Sequence, residues 1–262
     1  MDKGSNRGAA KPSGSWASFI PGLPLIPNLP TLDPGVEQYR SLALKVESAF
    51  AQSKEAGNVV VVSAPDAGSG KTLTSLNLSI ALAKKGERRI LLLECDIWKP
   101  TIRSFLKMGP DLPSLIDLLA HEGNLDYRRA VVTIWSYNID VITSDGRRPD
   151  ADLLTGSGMR HLLAELRSNY DFVVCDAPPF FLAGGRFLVE IADKVLVVAR
   201  ARMTKRRAIE SLLEDVPRDR CLGLVLNDLR GHRGRNYGYS YKDKYGGYAK
   251  YMEPRPDKKK RR

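Results

Sequence analysis

The run NVVVVS at 58–63 is followed directly by Ala64, Pro65, Asp66, Ala67, Gly68, Ser69, Gly70, Lys71 and Thr72, and then by a helical pattern from Leu73 to Lys85. No other feature constrains the fold as much. A β-branched strand that turns through glycines into a helix is the context a phosphate loop requires. Glycines let the backbone wrap an anion, and N–H groups at the helix N-terminus point at it. A lysine at position 71 reaches the β- and γ-phosphates, and a hydroxyl at Thr72 ligates Mg²⁺. Asp66, Ala67, Gly68, Ser69, Gly70, Lys71, Thr72 and Leu73 are therefore the candidate nucleotide-binding stretch. The first glycine of the general pattern is Pro65 here, and a Gly-rich turn without a ligand is the alternative.

The rest of the chain alternates. Strand-like runs fall at 58–63, 89–94, 139–143, 171–176, 194–199 and 222–227, separated by helical patterns such as 73–85, 159–168 and 205–216. A further helix is expected at 36–51, with Glu37 and Arg40 on its exposed face. Near-continuous apolar strands between helices predict an α/β domain, a doubly wound and mostly parallel sheet with helices on both faces. Three regions result: a Pro/Gly-rich linker at 1–35, a catalytic-type domain at 36–229 and a basic, tyrosine-rich tail at 230–262. The linker's apolar part, WASFIPGLPLIPNL, is interrupted by prolines that forbid a continuous helix. It reads equally as a docking segment or as a strap on its own domain. Both tails are expected to be disordered.

Charge and composition narrow the partners. The 262 residues carry a net charge of +11, and from Arg230 onward twelve Lys and Arg stand against three acids. The folded part is thus nearly neutral. A basic tail suits nucleic acid, anionic lipid or an acidic protein pocket; without a folded recognition element, no specific nucleic acid is expected. No run of about 18 apolar residues spans a membrane, and the first 15 residues hold no apolar signal core. A cytoplasmic protein is expected. Cys95, Cys175 and Cys221 sit in or beside apolar strands and read as reduced core residues, and His121, His161 and His232 lack ligand spacing.

Three acidic positions end strands on the side of the phosphate loop, the edge where open α/β sheets hold ligands. Glu94 and Asp96 close RILLLECD, and Asp176 closes FVVCD in the position of a Walker B carboxylate. Carboxylates there hold a Mg²⁺-bound water or accept a hydroxyl proton; otherwise they are polar strand ends. Thr72, Asp96 and Asp176 make up the candidate metal shell, with Lys71, Glu94 and Asp96 as candidate catalytic residues. Asn227, closing GLVLN, is a candidate for adenine recognition or a cap for the following loop.

Six of ten tyrosines, Tyr237, Tyr239, Tyr241, Tyr245, Tyr248 and Tyr251, lie within fifteen residues of the tail. Downstream of an ATP site they are candidate phosphoacceptors, although a sticky low-complexity tail has the same composition.

Taken together, EQYR in the first helix, the phosphate loop, ECD followed by Lys-Pro, DAPP, VLVVARARMT, VLND and the tyrosine tail resemble the bacterial tyrosine kinases of exopolysaccharide and capsule export, over about residues 36–251. The resemblance implies a P-loop NTPase fold and an ATP- and Mg²⁺-dependent autokinase acting in trans on tail tyrosines within a homo-oligomeric ring. It implies Glu37 and Arg40 at the ring interface, and Glu94 as proton acceptor or orienting group. It also implies a membrane polysaccharide co-polymerase as a Wzz-like activator, a tyrosine phosphatase, and a peripheral position at the inner face of the membrane. The chain departs from the family pattern at Glu94 for aspartate, Trp98 and Ala43 for arginines and Gly185 for an aspartate. Two alternatives stay open: an ATP-binding scaffold with little or no catalysis, and a partitioning-type ATPase, whose signature lysine is replaced by Asp66.

Overall fold

The computed structural model describes residues 25, 34–51, 58–83, 88–109, 111–120, 126–146 and 150–228. Most of the linker and the whole tail from 229, with all six tail tyrosines, His121 and His232, lie outside the described residues.

Seven strands form one sheet: β1 (Asn58–Ser63), β2 (Ile90–Glu94), β3 (Val132–Ile134), β4 (Ile139–Ile142), β5 (Phe172–Asp176), β6 (Lys194–Arg200) and β7 (Cys221–Asn227). Their order is β3-β4-β2-β5-β1-β6-β7, and every pairing is parallel except β3 with β4. The expected strands are present within a residue or two of their sequence boundaries. β3 was not expected, because three residues are too few to display a period. Its antiparallel pairing follows from the tight turn through Asn138, at φ 55°, that joins it to β4.

The central strands are buried on both faces, which is why they read as unbroken apolar runs. Alternate residues serve two cores. Val59, Val61, Leu91, Leu93, Val173, Cys175, Val195 and Val197 face α4 (Leu115–Ala120), α5 (Ala151–Thr155), α6 (Ser157–Asn169), α7 (Ala183–Ile191) and α8 (Arg206–Asp215). Val60, Val62, Leu92, Val174, Leu196 and Val198 face α1 (Pro34–Phe50), α2 (Lys71–Ala83) and α3 (Ile102–Phe105). The sheet is therefore doubly wound as expected.

Helix α2 is buried nearly all round, held between the sheet and α1. Its two serines stay satisfied by bonding back one turn, Ser75 Oγ to the Lys71 carbonyl at 2.9 Å and Ser79 Oγ to the Ser75 carbonyl at 2.8 Å. Helix α1 packs Ala43, Val46 and Phe50 into the same core, and the Phe50 ring meets Phe172 edge-on at 5.7 Å. Leu25, in the linker, is fully buried there too. At that residue the linker is a strap on its own domain. No described helix is long and apolar enough to cross a membrane. All three cysteines are free, two buried and Cys221 half-buried.

Candidate active site

The C-terminal ends of β1, β2, β5 and β7 share one edge of the sheet, and the chemistry-bearing residues gather there. β1 runs into the phosphate loop, where Gly68 at φ 74° and Gly70 at φ 98° occupy the left-handed region that favours glycine. Pro65, in place of the pattern's first glycine, is buried. The loop is braced internally by Ser69 Oγ on the Asp66 carbonyl at 2.8 Å, and α2 starts with the Thr74 N–H on the Gly70 carbonyl at 3.0 Å. Lys71 therefore sits at the first position of a thirteen-residue helix, beside a free set of N–H groups and the positive end of the helix dipole. Its side chain is buried rather than extended into solvent.

Asp176 lies opposite Val62 of β1 and Glu94 of β2, which brings the β5 carboxylate against the loop. Its Oδ1 accepts from Ser75 Oγ at 3.2 Å, one helical turn beyond Lys71. Its Oδ2 is buried with no hydrogen-bond partner. Burial pushes the Asp176 carboxyl up to about 7; the Lys71 ammonium and the Thr72 hydroxyl hold it down, while Asp96 pushes it further up. An orphaned carboxylate oxygen beside a hydroxyl and a second carboxylate is a site short of positive charge. That fits a hard divalent cation. No group of three or more His, Cys, Asp and Glu among the described residues could hold a metal alone. Mg²⁺ needs no such cage, since it binds through one or two carboxylates, water and substrate phosphates. Thr72, Asp176 and Asp96 are the residues that would hold it.

Glu94 and Asp96 divide sharply. Glu94 is fully buried; Oε1 accepts the N–H groups of Thr101 at 2.6 Å and Ile102 at 2.7 Å, and Oε2 accepts that of Ser144 at 3.0 Å. Its backbone carbonyl takes the Ser144 hydroxyl at 2.8 Å. Burial pushes this carboxyl up to about 8, against the pull of those N–H groups. Both oxygens are committed to backbone, so the geometry suits a tie between the β2 end, α3 and the β4 loop. The expected role, proton acceptor or orienting group, would have to be filled alongside these bonds. Asp96 lies near enough to Asp176 to push its carboxyl up, and its Oδ1 takes the Lys99 N–H at 3.1 Å.

Three departures from the family pattern have local reasons. Ala43 is 5% exposed within the α1–α2 core, where an arginine would be a buried charge. A Cβ on Gly185 would stand 2.5 Å from the Pro179 carbonyl oxygen, so the backbone after Asp176 closes too tightly for any side chain. Trp98 packs its ring against the first turn of α7, where a Cβ on Gly184 would lie 3.2 Å from it and 2.5 Å from Leu154 Cδ2. Glu37 and Arg40 form an ion pair with each other on the exposed side of α1. Asn227 reaches the phosphate loop, its Nδ2 donating to the Ser69 carbonyl at 3.0 Å. Ser75 and Ser144 were not singled out from sequence. Ser75 was findable at one turn from Lys71, whereas Ser144 faces Glu94 across fifty residues of chain.

A family described as an AAA domain matches residues 57–218. The chain is 29% identical over 209 residues to the tyrosine-protein kinase YwqD of Bacillus subtilis, covering 78% of this chain and 85% of that one. It is 27% identical over 213 residues to the tyrosine-protein kinase wzc of Salmonella typhimurium, covering 79% of this chain and only 29% of wzc. The kinase domain of the Escherichia coli tyrosine kinase ETK superposes with a TM-score of 0.68 at 22% identity, over 79% of this chain and 80% of that one. At that identity the likeness speaks for the fold.

Proposed function

Given that this chain is a bacterial tyrosine kinase of the AAA-domain family, we propose that it transfers the γ-phosphate of Mg-ATP to tyrosines of its own tail, Tyr237 to Tyr251, on a neighbouring copy. The observation that carries the reading is the orphaned Asp176 oxygen set against Lys71, Thr72 and Asp96 at the mouth of the phosphate loop.

The phenolic oxygen bonds to the γ-phosphorus as the bond to the β–γ bridging oxygen breaks. ADP leaves with that electron pair, and the phenolic proton is released to water. Positioning and charge neutralisation supply most of the catalysis in such transfers. The loop N–H groups grip the phosphates, and the Lys71 ammonium meets the charge on the transferring group. Asp96 orients the incoming phenol. Bound Mg²⁺ would neutralise charge on the β- and γ-oxygens. Glu94 acts at one remove, by holding the ends of β2 and β4 in place.

The cellular setting follows the family resemblance. The kinase works in a homo-oligomer whose contact includes Glu37 and Arg40, with a membrane polysaccharide co-polymerase as activator, a phosphatase as its opponent and exopolysaccharide export as the output. It is held at the inner membrane face through that partner. Incubating pure protein with ATP and Mg²⁺ and mapping phosphotyrosine by mass spectrometry tests the core of this reading. Phosphate is expected within residues 237–251; a chain that hydrolyses ATP but gains no phosphotyrosine would leave only an ATPase.

A further inference from the structure

We propose that Asn227 is a positioning residue that holds the phosphate loop from the last strand, and that the Arg200–Asp228 ion pair holds Asn227 in turn. The inference rests on the reading of the Lys71 loop as the ATP site.

Asn227 ends β7, and both ends of its side-chain amide and its carbonyl are engaged. Nδ2 donates to the Ser69 carbonyl at 3.0 Å, Oδ1 accepts the Asp228 N–H at 2.9 Å, and its carbonyl accepts the Ala201 N–H at 2.8 Å. The amide nitrogen also closes on Gly70, where a Cβ would fall 2.0 Å from Nδ2 and 3.2 Å from Cγ. Gly70 thus lacks a side chain for two reasons: its φ of 98° and the close approach of Asn227. Asp228, itself at φ 58°, is fixed by Arg200, with Nε at 2.9 Å and Nη2 at 2.7 Å from Oδ2. The Arg200 N–H is bonded to Thr204 Oγ1 at 2.9 Å, which anchors the pair to the loop after β6.

The tyrosine-bearing sequence follows Asp228 directly. A displacement of Asp228 therefore reaches the Ser69 carbonyl through two successive hydrogen bonds, and phosphate binding at the loop acts back on the root of the tail by the same free energy. An asparagine that read adenine would act differently. It would matter for ATP and be indifferent to a ligand without a base.

Calorimetric titration of the full chain with Mg-ATP and with inorganic tripolyphosphate plus Mg²⁺ separates the two roles. Asn227→Ala and Asn227→Leu should weaken both ligands alike, by about two- to tenfold, the worth of one hydrogen bond. Asp228→Ala should weaken both by less, and the Asn227→Ala/Asp228→Ala double variant should bind no more weakly than Asn227→Ala alone. Loss of ATP affinity with tripolyphosphate affinity unchanged would overturn the latch in favour of a base contact. Additive losses would show that Asp228 does not act through Asn227. Asn227→Leu keeps most of the side-chain volume and removes the donor without adding a charge, so a fold defect in the alanine variant does not shield the proposal. Failure of the unsubstituted chain to bind either ligand would overturn the ATP-site reading, and the latch with it.

Discussion

Glu94 and Asp176 stand side by side at the ends of neighbouring parallel strands, yet one is spent on backbone and the other keeps an oxygen with no hydrogen-bond partner. Both carboxylates end neighbouring strands, but the loops that meet them bring backbone N–H groups to Glu94 and none to Asp176 Oδ2.

For Glu94 the expected signature of substitution is structural. Glu94→Ala strands three buried N–H groups, at about 1–3 kcal/mol each, and should melt well below the parent. Glu94→Gln keeps one acceptor oxygen but turns an NH₂ toward a backbone N–H, and each kcal/mol lost should lower Tm by about 2–4 °C for a domain of this size. Thermal unfolding read beside single-turnover phosphorylation decides the matter. An unchanged Tm with abolished transfer would restore Glu94 as the proton acceptor.

Lys71→Met should abolish autophosphorylation while leaving the fold intact, because the ammonium that meets the γ-phosphate is gone and an unbranched side chain fills its place. Stripping Mg²⁺ with EDTA should do the same to the parent, reversibly. Phosphotyrosine blots and far-UV circular dichroism on the same samples provide the check.

Transfer between copies is testable by mixing. A Lys71→Met chain with its tail should be labelled by an active chain truncated before residue 236, and Glu37→Ala with Arg40→Ala should slow that labelling by opening the contact. No label on the Lys71→Met chain would exclude transfer between copies.

Gly185→Ala places a methyl group 2.5 Å from a backbone oxygen next to the Asp176 loop. Overpacking of this kind costs about 1–3 kcal/mol, and here the relief must come from the loop that follows the Walker B carboxylate. Loss of Mg-ATP affinity along with stability is expected, whereas exposed Ser41→Ala on α1 should move neither.

The tail carries a net +9 from Arg230 onward, and each phosphotyrosine adds about −1.5 to −2. Full modification of six tyrosines should therefore neutralise or reverse it. Sedimentation and binding to anionic vesicles, measured for both forms at low salt where screening is weakest, should show weaker association after phosphorylation.

The sequence alone determined six of the seven strands and the place of the phosphate loop, since these depend on local order. Four valines before a Gly-Ser-Gly-Lys-Thr turn dictate a buried strand and an anion-binding helix start wherever they occur, and Asp176 follows its own apolar strand in the same way. Which groups Glu94 and Asn227 bond to could not be read there. A carboxylate's role depends on which N–H groups reach it, and those of Thr101, Ile102 and Ser144 arrive from two different loops. Asn227 meets Ser69 across 158 residues only because β7 lies two strands from β1. The side-chain demand at Gly185 and the burial of Ala43 are likewise matters of what the folded backbone brings close. Short-range patterns carry propensity and motif chemistry; hydrogen-bond partners and steric room are set by tertiary contact.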